Sequence, residues 1–248
     1  MTDDPIAAAR ADDRHTLTEA EGKRLLAGAG IETPPFAVCE TAEEAVEAAE
    51  EIGYPVVLKV SSPSVTHKSE WGGGAGVTVG VTSAEGVRTA VERIFETATE
   101  QDIDADVLVE AAMDVDAGTE VIVGGLRDPS FGPVVLTGLG GVFTEVFEDT
   151  SHRIAPIDHA EARAAIEELQ AAELLAGYRG SEPADIEALA EVVATVGDLV
   201  TDNPIAELDV NPVLVSADGA IALDALVVLD SDSAVDREGG TAAAEVDR

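Results

Sequence analysis

Between Lys59 and Gly76 the chain reads KVSSPSVTHKSEWGGGAG, which sets His67 between Lys59 and Lys68 and just ahead of Gly72, Gly73 and Gly74. The 248 residues contain only three lysines, at positions 23, 59 and 68, so two of the three fall in this one stretch. Lysine is a compact positive charge that binds phosphate. Glycine-rich turns let backbone N–H groups approach phosphate oxygens closely. A neutral imidazole is a nucleophile toward phosphorus, and phosphohistidine is a reactive intermediate rather than a stable mark. A lone loop histidine is ordinarily a solvated side chain, and a lysine ending a strand ordinarily reaches for solvent. The combination points instead to a phosphate or nucleotide site with a histidine inside it.

A second glycine cluster, GLGG at 138–141, follows a strand pattern that ends Val135-Leu136-Thr137. Alone it is a tight turn; beside the first cluster it suggests a second nest of N–H groups, from Gly138, Gly140 and Gly141. Arg153, in SHRIAPID, adds a forked donor set. Farther on, Glu207, Asp209 and Asn211 alternate with Leu208 and Val210, so three oxygen-bearing side chains share one strand face. Asp224 stands among Leu223, Ala225 and Leu226, where an unpaired carboxylate would cost several kcal/mol, about the penalty for a buried ion. Oxygen ligands on adjacent strands suit Mg2+, which also takes nucleotide phosphates and water.

The elements that must carry these residues are legible in outline. Thr18 predicts the N-cap of a helix ending at Ala29, with Gly30 beyond it. Phe36 to Cys39 reads as a short strand. Thr41 and Glu44 form a capping-box pattern that opens a helix running to Ile52. Val56 to Val60 reads as a buried strand with Lys59 near its end, and Ala75 to Val81 as another. Ser83 to Thr99 is a helix with Val87, Val91, Ile94 and Phe95 on one face. Strands follow at Val107–Val109, Thr119–Leu126 and Pro133–Thr137. Helices are expected near 159–169 and 171–177, and another opening at Pro183. The strands Ile205–Val215 and Ala220–Leu229 close the pattern across the Asp218-Gly219 turn. This mixture is α+β. Residues 1–16 are expected to be a flexible N-terminus and 231–248 a disordered acidic tail. The intervening 17–230 divides at about 105 into two subdomains.

Composition bounds the partners. Fifty acidic residues against fourteen basic ones give a net charge of −36, a field that repels nucleic acid and anionic membrane. The acids are interspersed with 46% apolar residues, ample for a core. Such a surface suits a cytosol at multimolar salt, where the screening length falls to about 3 Å or less, and the scarcity of lysine supports a halophilic reading. Cys39 alone permits neither an intrachain disulfide nor a cysteine-based zinc site. The first residues carry no signal-peptide pattern and no run approaches a membrane span, so a soluble, cytoplasmic protein is expected.

The segments GYPVVLKVSSPSVTHKSEWGG, GTEVIVGGLRDPSFGPVVLTGLGGVFTEV, HRIAPI, LLAGYRG and IAELDVNPVLV, in this order, resemble the ATP-grasp fold. More narrowly, the chain resembles the β subunits of ADP-forming acyl-CoA (acetyl-CoA) synthetases, relatives of succinyl-CoA synthetase. The resemblance covers about 17–230. It implies the reaction acyl-CoA + ADP + Pi to free acid + CoA + ATP, with ATP/ADP and Mg2+ as cofactors. It further implies a CoA-binding α subunit in an α2β2-like assembly. Lys59 would contact ATP phosphate, with Lys68 and Gly72, Gly73 and Gly74 beside it. His67 would carry phosphate transiently, and Asp209 would hold its imidazole. Asn211 and Asp224 would hold Mg2+. Gly138, Gly140 and Gly141 would cradle the phosphate in transit, with Arg153 adding donors. Glu120 would face the nucleotide, and Glu110 is the nearest candidate for an acid on the adenine side. Two alternatives stand beside this reading: an ATP-grasp carboxylate ligase that uses no phosphohistidine, and a non-catalytic nucleotide-binding regulatory subunit.

Overall fold

A computed structural model describes residues 4–65, 68–140, 149–177 and 182–230. His67 and Gly141 lie outside the described residues, as does the expected tail at 231–248. Two sheets organise the chain. The first is built from β1 (Phe36–Cys39), β2 (Val56–Ser61), β3 (Val77–Val81) and β4 (Asp106–Ala111), in the order β1-β4-β2-β3, with every neighbouring pair antiparallel. Helices α3 (Ala42–Ile52) and α4 (Ala84–Glu100) cover it. Their apolar stripes, Ala45, Val46 and Ala49 on α3 and Val87, Val91 and Ile94 on α4, close a core with Val56, Leu58, Val60, Val107 and Val109. Burial of those stripes, at about 25 cal/mol per Å² of apolar surface, is what holds the helices to the sheet.

The second sheet runs β10 (Leu226–Leu229), β8 (Ile205–Ser216), β5 (Thr119–Asp128), β6 (Gly132–Leu139) and β7 (Thr150–Ile154), with β9 (Gly219–Ala222) also paired to β8. Helices α5 (His159–Glu167) and α6 (Ile186–Asp202) pack on it. Gly125 on β5 permits the close approach of α6, since a Cβ there would run into Val196 and Val200.

Several expectations are corrected. The N-terminal stretch is structured: Asp4 caps a helix, α1 (Pro5–Ala11), which buries Ile6 and Ala9 in the second core. The amide of Leu17 then donates to the Val227 carbonyl, and that of Leu229 to the His15 carbonyl. Helix α2 (Glu19–Gly28) opens at Thr18 with a full capping box to Glu21, and it too belongs with the second core through Leu26. The first sheet, conversely, extends through β4 to Ala111, so the two halves do not part at 105. The helix expected from Pro183 begins at Ile186, because the Asp185 carboxylate takes the Ala188 amide and so sets the N-cap. The helix expected at 171–177 is a single 3-10 turn, Ala172–Leu174. The last strand is broken at 223–225, where the Leu223 amide turns to bond the Pro212 carbonyl. Asp224 therefore lies in a link between β9 and β10 with 32% of its side chain exposed, not sealed among apolar neighbours.

Candidate functional site

Both sheets and α2 send charged side chains to one place, and all three lysines of the chain are there. Lys23 comes from α2, Lys59 from β2 and Lys68 from the segment between β2 and β3. Glu19, one turn before Lys23 on α2, is the hub. Its Oε1 lies 2.9 Å from Lys23 Nζ and 2.7 Å from Lys59 Nζ, and its Oε2 lies 3.0 Å from Lys68 Nζ. Glu110 on β4 pairs with Lys23 and, at 2.6 Å, with Lys59. Lys59 also donates to the Leu223 carbonyl at 3.1 Å, and Lys68 reaches Asp224 Oδ1 at 3.0 Å. Three cations thus face three carboxylates at the junction of the two sheets.

Burial grades this cluster from inside to outside. The Lys23 side chain is fully enclosed, whereas those of Lys59 and Lys68 keep 10% and 12% of their surface. Burial alone would raise the Glu19 carboxyl, but Lys59, Lys23 and Lys68 outweigh it and hold the group at about 2. Burial works to lower Lys59 and Lys68, yet their carboxylate neighbours raise both. Removing Glu19 from among these lysines would strand buried cations in a medium where that costs about 3–5 kcal/mol. The Lys68 contact, at 3.0 Å, is the longest of the three that Glu19 makes.

Alongside lies the face of β8 expected from the alternation. Leu208 and Val210 are fully buried, while Glu207 and Asn211 are exposed and Asp209 is half-buried. Burial pushes the Asp209 carboxyl up, and the nearby charges of Glu207 and Asp224 push it further. Asp209 pairs across to Leu226 on β10, and Pro212 bonds Leu223, so the Asp224 link runs beside Asn211. Asp224 spends Oδ1 on Lys68 and on the Ala225 amide; Oδ2 accepts no hydrogen bond among the described residues. An open carboxylate oxygen beside an exposed amide side chain, on a face crowded with negative charge, fits a hard cation. Among the described residues no three His, Cys, Asp or Glu side chains gather as a metal cage. That too fits Mg2+, which takes one or two carboxylates and draws its remaining ligands from phosphate and water.

The structure brings Lys59, Lys68, Glu110, Asp209, Asn211 and Asp224 into this region and sets other candidates elsewhere. Gly72, Gly73 and Gly74 all have positive φ in and just after a 3-10 turn, Trp71–Gly73, and the Gly73 and Gly74 amides donate back to the Glu70 and Trp71 carbonyls. A Cβ on Gly72 would collide with Thr97, so this turn packs against α4 rather than offering a nest. The glycine that serves the site is Gly76, against which the Lys68 carbonyl lies with no room for a Cβ. Gly138 is inside β6, laddered between Ile122 and Thr150. The Gly140 amide is committed to the Glu120 carbonyl at 2.8 Å, and Glu120 itself is exposed on β5. Arg153 is held by Glu168 and Glu161 on the α5 side of β7. Glu19 and Lys23 were missed. Their signal is a helical one: positions 19, 23 and 26 share one face, and Leu26 marks that face as buried.

Comparison with known proteins fixes the family. The ATP-grasp domain model matches residues 8–229. The chain belongs to the ATP-grasp family. It is 43% identical to the beta subunit of acetate–CoA ligase [ADP-forming] I of Pyrococcus furiosus, over 90% of this chain and 96% of that one. It superposes with a TM-score of 0.85, at 40% identity, on the acetyl-coenzyme A synthetase 1 of Ca. Korarchaeum cryptofilum in complex with coenzyme A and Ca-AMPCP, covering 92% of this chain and all of that one. Another structure of that enzyme, 41% identical with a TM-score of 0.78 over 91% and 98% of the two chains, holds coenzyme A and Mg-AMPPCP, its phosphohistidine segment pointing towards the nucleotide-binding site. The ATP-grasp domain described here is thus a homologue of the beta subunits of ADP-forming acetate–CoA ligases. Among its described residues no helix is long and apolar enough to cross a membrane.

Proposed function

We propose that this chain is the nucleotide-binding β subunit of an ADP-forming acyl-CoA synthetase, most simply an acetyl-CoA synthetase. The observation that carries the reading is the convergence of the chain's three lysines, from three separate elements, on one site beside Asp209, Asn211 and Asp224. The close likeness to beta subunits of ADP-forming acetate–CoA ligases supports it.

Lys59 and Lys68, the two partly exposed lysines, bind the phosphates of ADP or ATP; Lys23 and Glu110 form the fixed floor beneath them. Asn211 and Asp224 hold Mg2+, which when bound neutralises phosphate charge and orients the transferring group. His67 accepts phosphate on a ring nitrogen. Asp209 accepts a hydrogen bond from the other nitrogen, and its raised basicity strengthens that bond and fixes the tautomer. On a CoA-binding α subunit, inorganic phosphate displaces CoA from acyl-CoA to give an acyl phosphate. The acyl phosphate hands its phosphoryl group to His67 with release of the free acid, and the phosphohistidine passes it to ADP to give ATP. With little covalent work left to the protein, positioning and charge neutralisation supply most of the rate. The −36 charge and three lysines suit a cytoplasm rich in salt.

Reconstitution tests this. The isolated chain should bind Mg–ADP and make no acyl-CoA, and addition of a matching CoA-binding α subunit should restore turnover. Acyl-CoA synthesis by the isolated chain would overturn the subunit assignment.

A further inference from the structure

Lys68 and Asp224 stand out within the charged cluster because each is the group that the bound metal–nucleotide would claim. They are 3.0 Å apart, come from different halves of the molecule, and sit at its more open side, with 12% and 32% of their side chains exposed. The other cluster members are held from several directions: Lys59 by Glu19, Glu110 and the Leu223 carbonyl, Lys23 by Glu19 and Glu110. Apart from Asp224, Lys68 has one partner among the described residues, Glu19 Oε2 at 3.0 Å. Its backbone, in turn, is fixed against Gly76, so the side chain can change partner without moving the segment.

We propose that the Lys68–Asp224 ion pair is exchanged, as a unit, for the Mg2+–phosphate pair of the incoming nucleotide, so that metal and nucleotide bind this chain as one ligand. The inference rests on the nucleotide reading above. The charge balance makes the exchange concerted. Nucleotide without metal takes Lys68 and leaves Asp224 as an unpaired carboxylate, next to Glu207 and Asp209. Metal without nucleotide takes Asp224 and leaves Lys68 with Glu19 alone, a carboxylate already shared with Lys23 and Lys59. Each half-exchange strands a partly buried charge, which is costly, while the full exchange leaves both groups paired. Lys68 is thereby a residue that couples two ligands, beyond being a phosphate contact.

The test uses the full chain and two probes, Mn2+ as a spectroscopic substitute for Mg2+, and ADP. Wild type should bind Mn2+ alone weakly and ADP alone weakly, and each should strengthen the other by on the order of tenfold or more, within the range of measured site couplings. Lys68→Met removes the competing ammonium but keeps the apolar stem. It should bind Mn2+ alone on the order of tenfold more tightly than wild type, with the mutual strengthening by ADP reduced to near one. Lys68→Arg should retain the wild-type coupling. Since the chain has only three lysines, labelling their Cε carbons gives an NMR readout that needs no charge-removing variant. The Lys68 signal, assigned through Lys68→Arg, should shift with Mg–ADP far more than with Mg2+ or ADP alone. Unchanged Mn2+ affinity in Lys68→Met, or equal Lys68 shifts for ADP with and without Mg2+, would overturn the exchange. Failure of wild type to bind Mg–ADP at all would instead overturn the nucleotide reading.

Discussion

Glu19 on α2 and Lys59 on β2 lie 2.7 Å apart, and through this pair the second core grips the first sheet. Helix α2 buries Leu26 in the second core, and Gly22 lets it sit against Ala225, where a Cβ would already be 3.2 Å away. The same helix presents Glu19 and Lys23 to β2 and β4. One ion cluster therefore joins the halves and, in the proposed function, also holds the lysines for phosphate.

Glu19→Gln removes the hub anion while leaving Lys23 and Lys59 enclosed. It should destabilise the chain by about 3–5 kcal/mol, the cost of breaking a buried ion pair from one side. Denaturant unfolding at high salt measures it directly. A loss below about 0.5 kcal/mol, typical of a surface site, would mean that the cluster does not join the halves.

The same group sets an acid limit. Its carboxyl is held at about 2 in the fold, against an ordinary 4.5. Between those values the unfolded chain binds the proton and the folded chain does not, so this contribution is complete above about 4.5 and is lost as pH falls toward 2. Unfolding free energy should fall more steeply between pH 5 and 3 in wild type than in Glu19→Gln (a window set by that depression). Parallel curves would contradict the assignment.

Gly76→Ala should act at a distance of one residue contact. The new Cβ meets the Lys68 backbone carbonyl and lies 3.1 Å from Val60 Cγ1, and backbone gives way poorly. A loss of about 1–3 kcal/mol is expected from overpacking, with weakened Mg–ADP binding because Lys68 is displaced. Calorimetric titration of Mg–ADP separates this from a purely structural defect, which would leave affinity intact in the folded fraction.

How much of this was readable without coordinates depends on the range of each cause. The face of Glu207, Asp209 and Asn211 followed from a two-residue period, which the strand enforces. Thr18 as a cap followed from chemistry within three residues. The rarity of lysine flagged Lys59 and Lys68. What failed was what tertiary contact decides. Three consecutive glycines read as a phosphate nest, yet Thr97 on α4 fills the space beside Gly72. Asp224 read as part of a continuous strand, yet the Pro212 carbonyl draws Leu223 out of line. Residues 1–16 read as loose because they are polar, yet over 4–16 the Asp4 cap, the burial of α1 against the second core and the pairing of Thr16 with Val228 hold the chain in place.

Salt should govern stability more than temperature does. With a net charge of −36, self-repulsion is strong until the screening length shrinks below the spacing of surface carboxylates. The melting temperature should rise continuously between a few tenths molar and multimolar KCl, estimates set by the screening length. A flat profile would remove the argument for a high-salt cytoplasm.

The most direct measurement concerns His67. The complex with a CoA-binding α subunit is incubated with labelled ATP and Mg2+, and the phosphate on this chain is tested for lability. The account predicts an acid-labile, base-stable label. His67→Ala should abolish that label and the overall turnover yet retain Mg–ADP binding through Lys59 and Lys68. Asp209→Ala should slow labelling by a factor on the order of 100 to 10,000, as expected for a positioned acid–base partner. Wild-type turnover in His67→Ala with the α subunit present would contradict the relay and leave a ligase that transfers phosphate without this histidine.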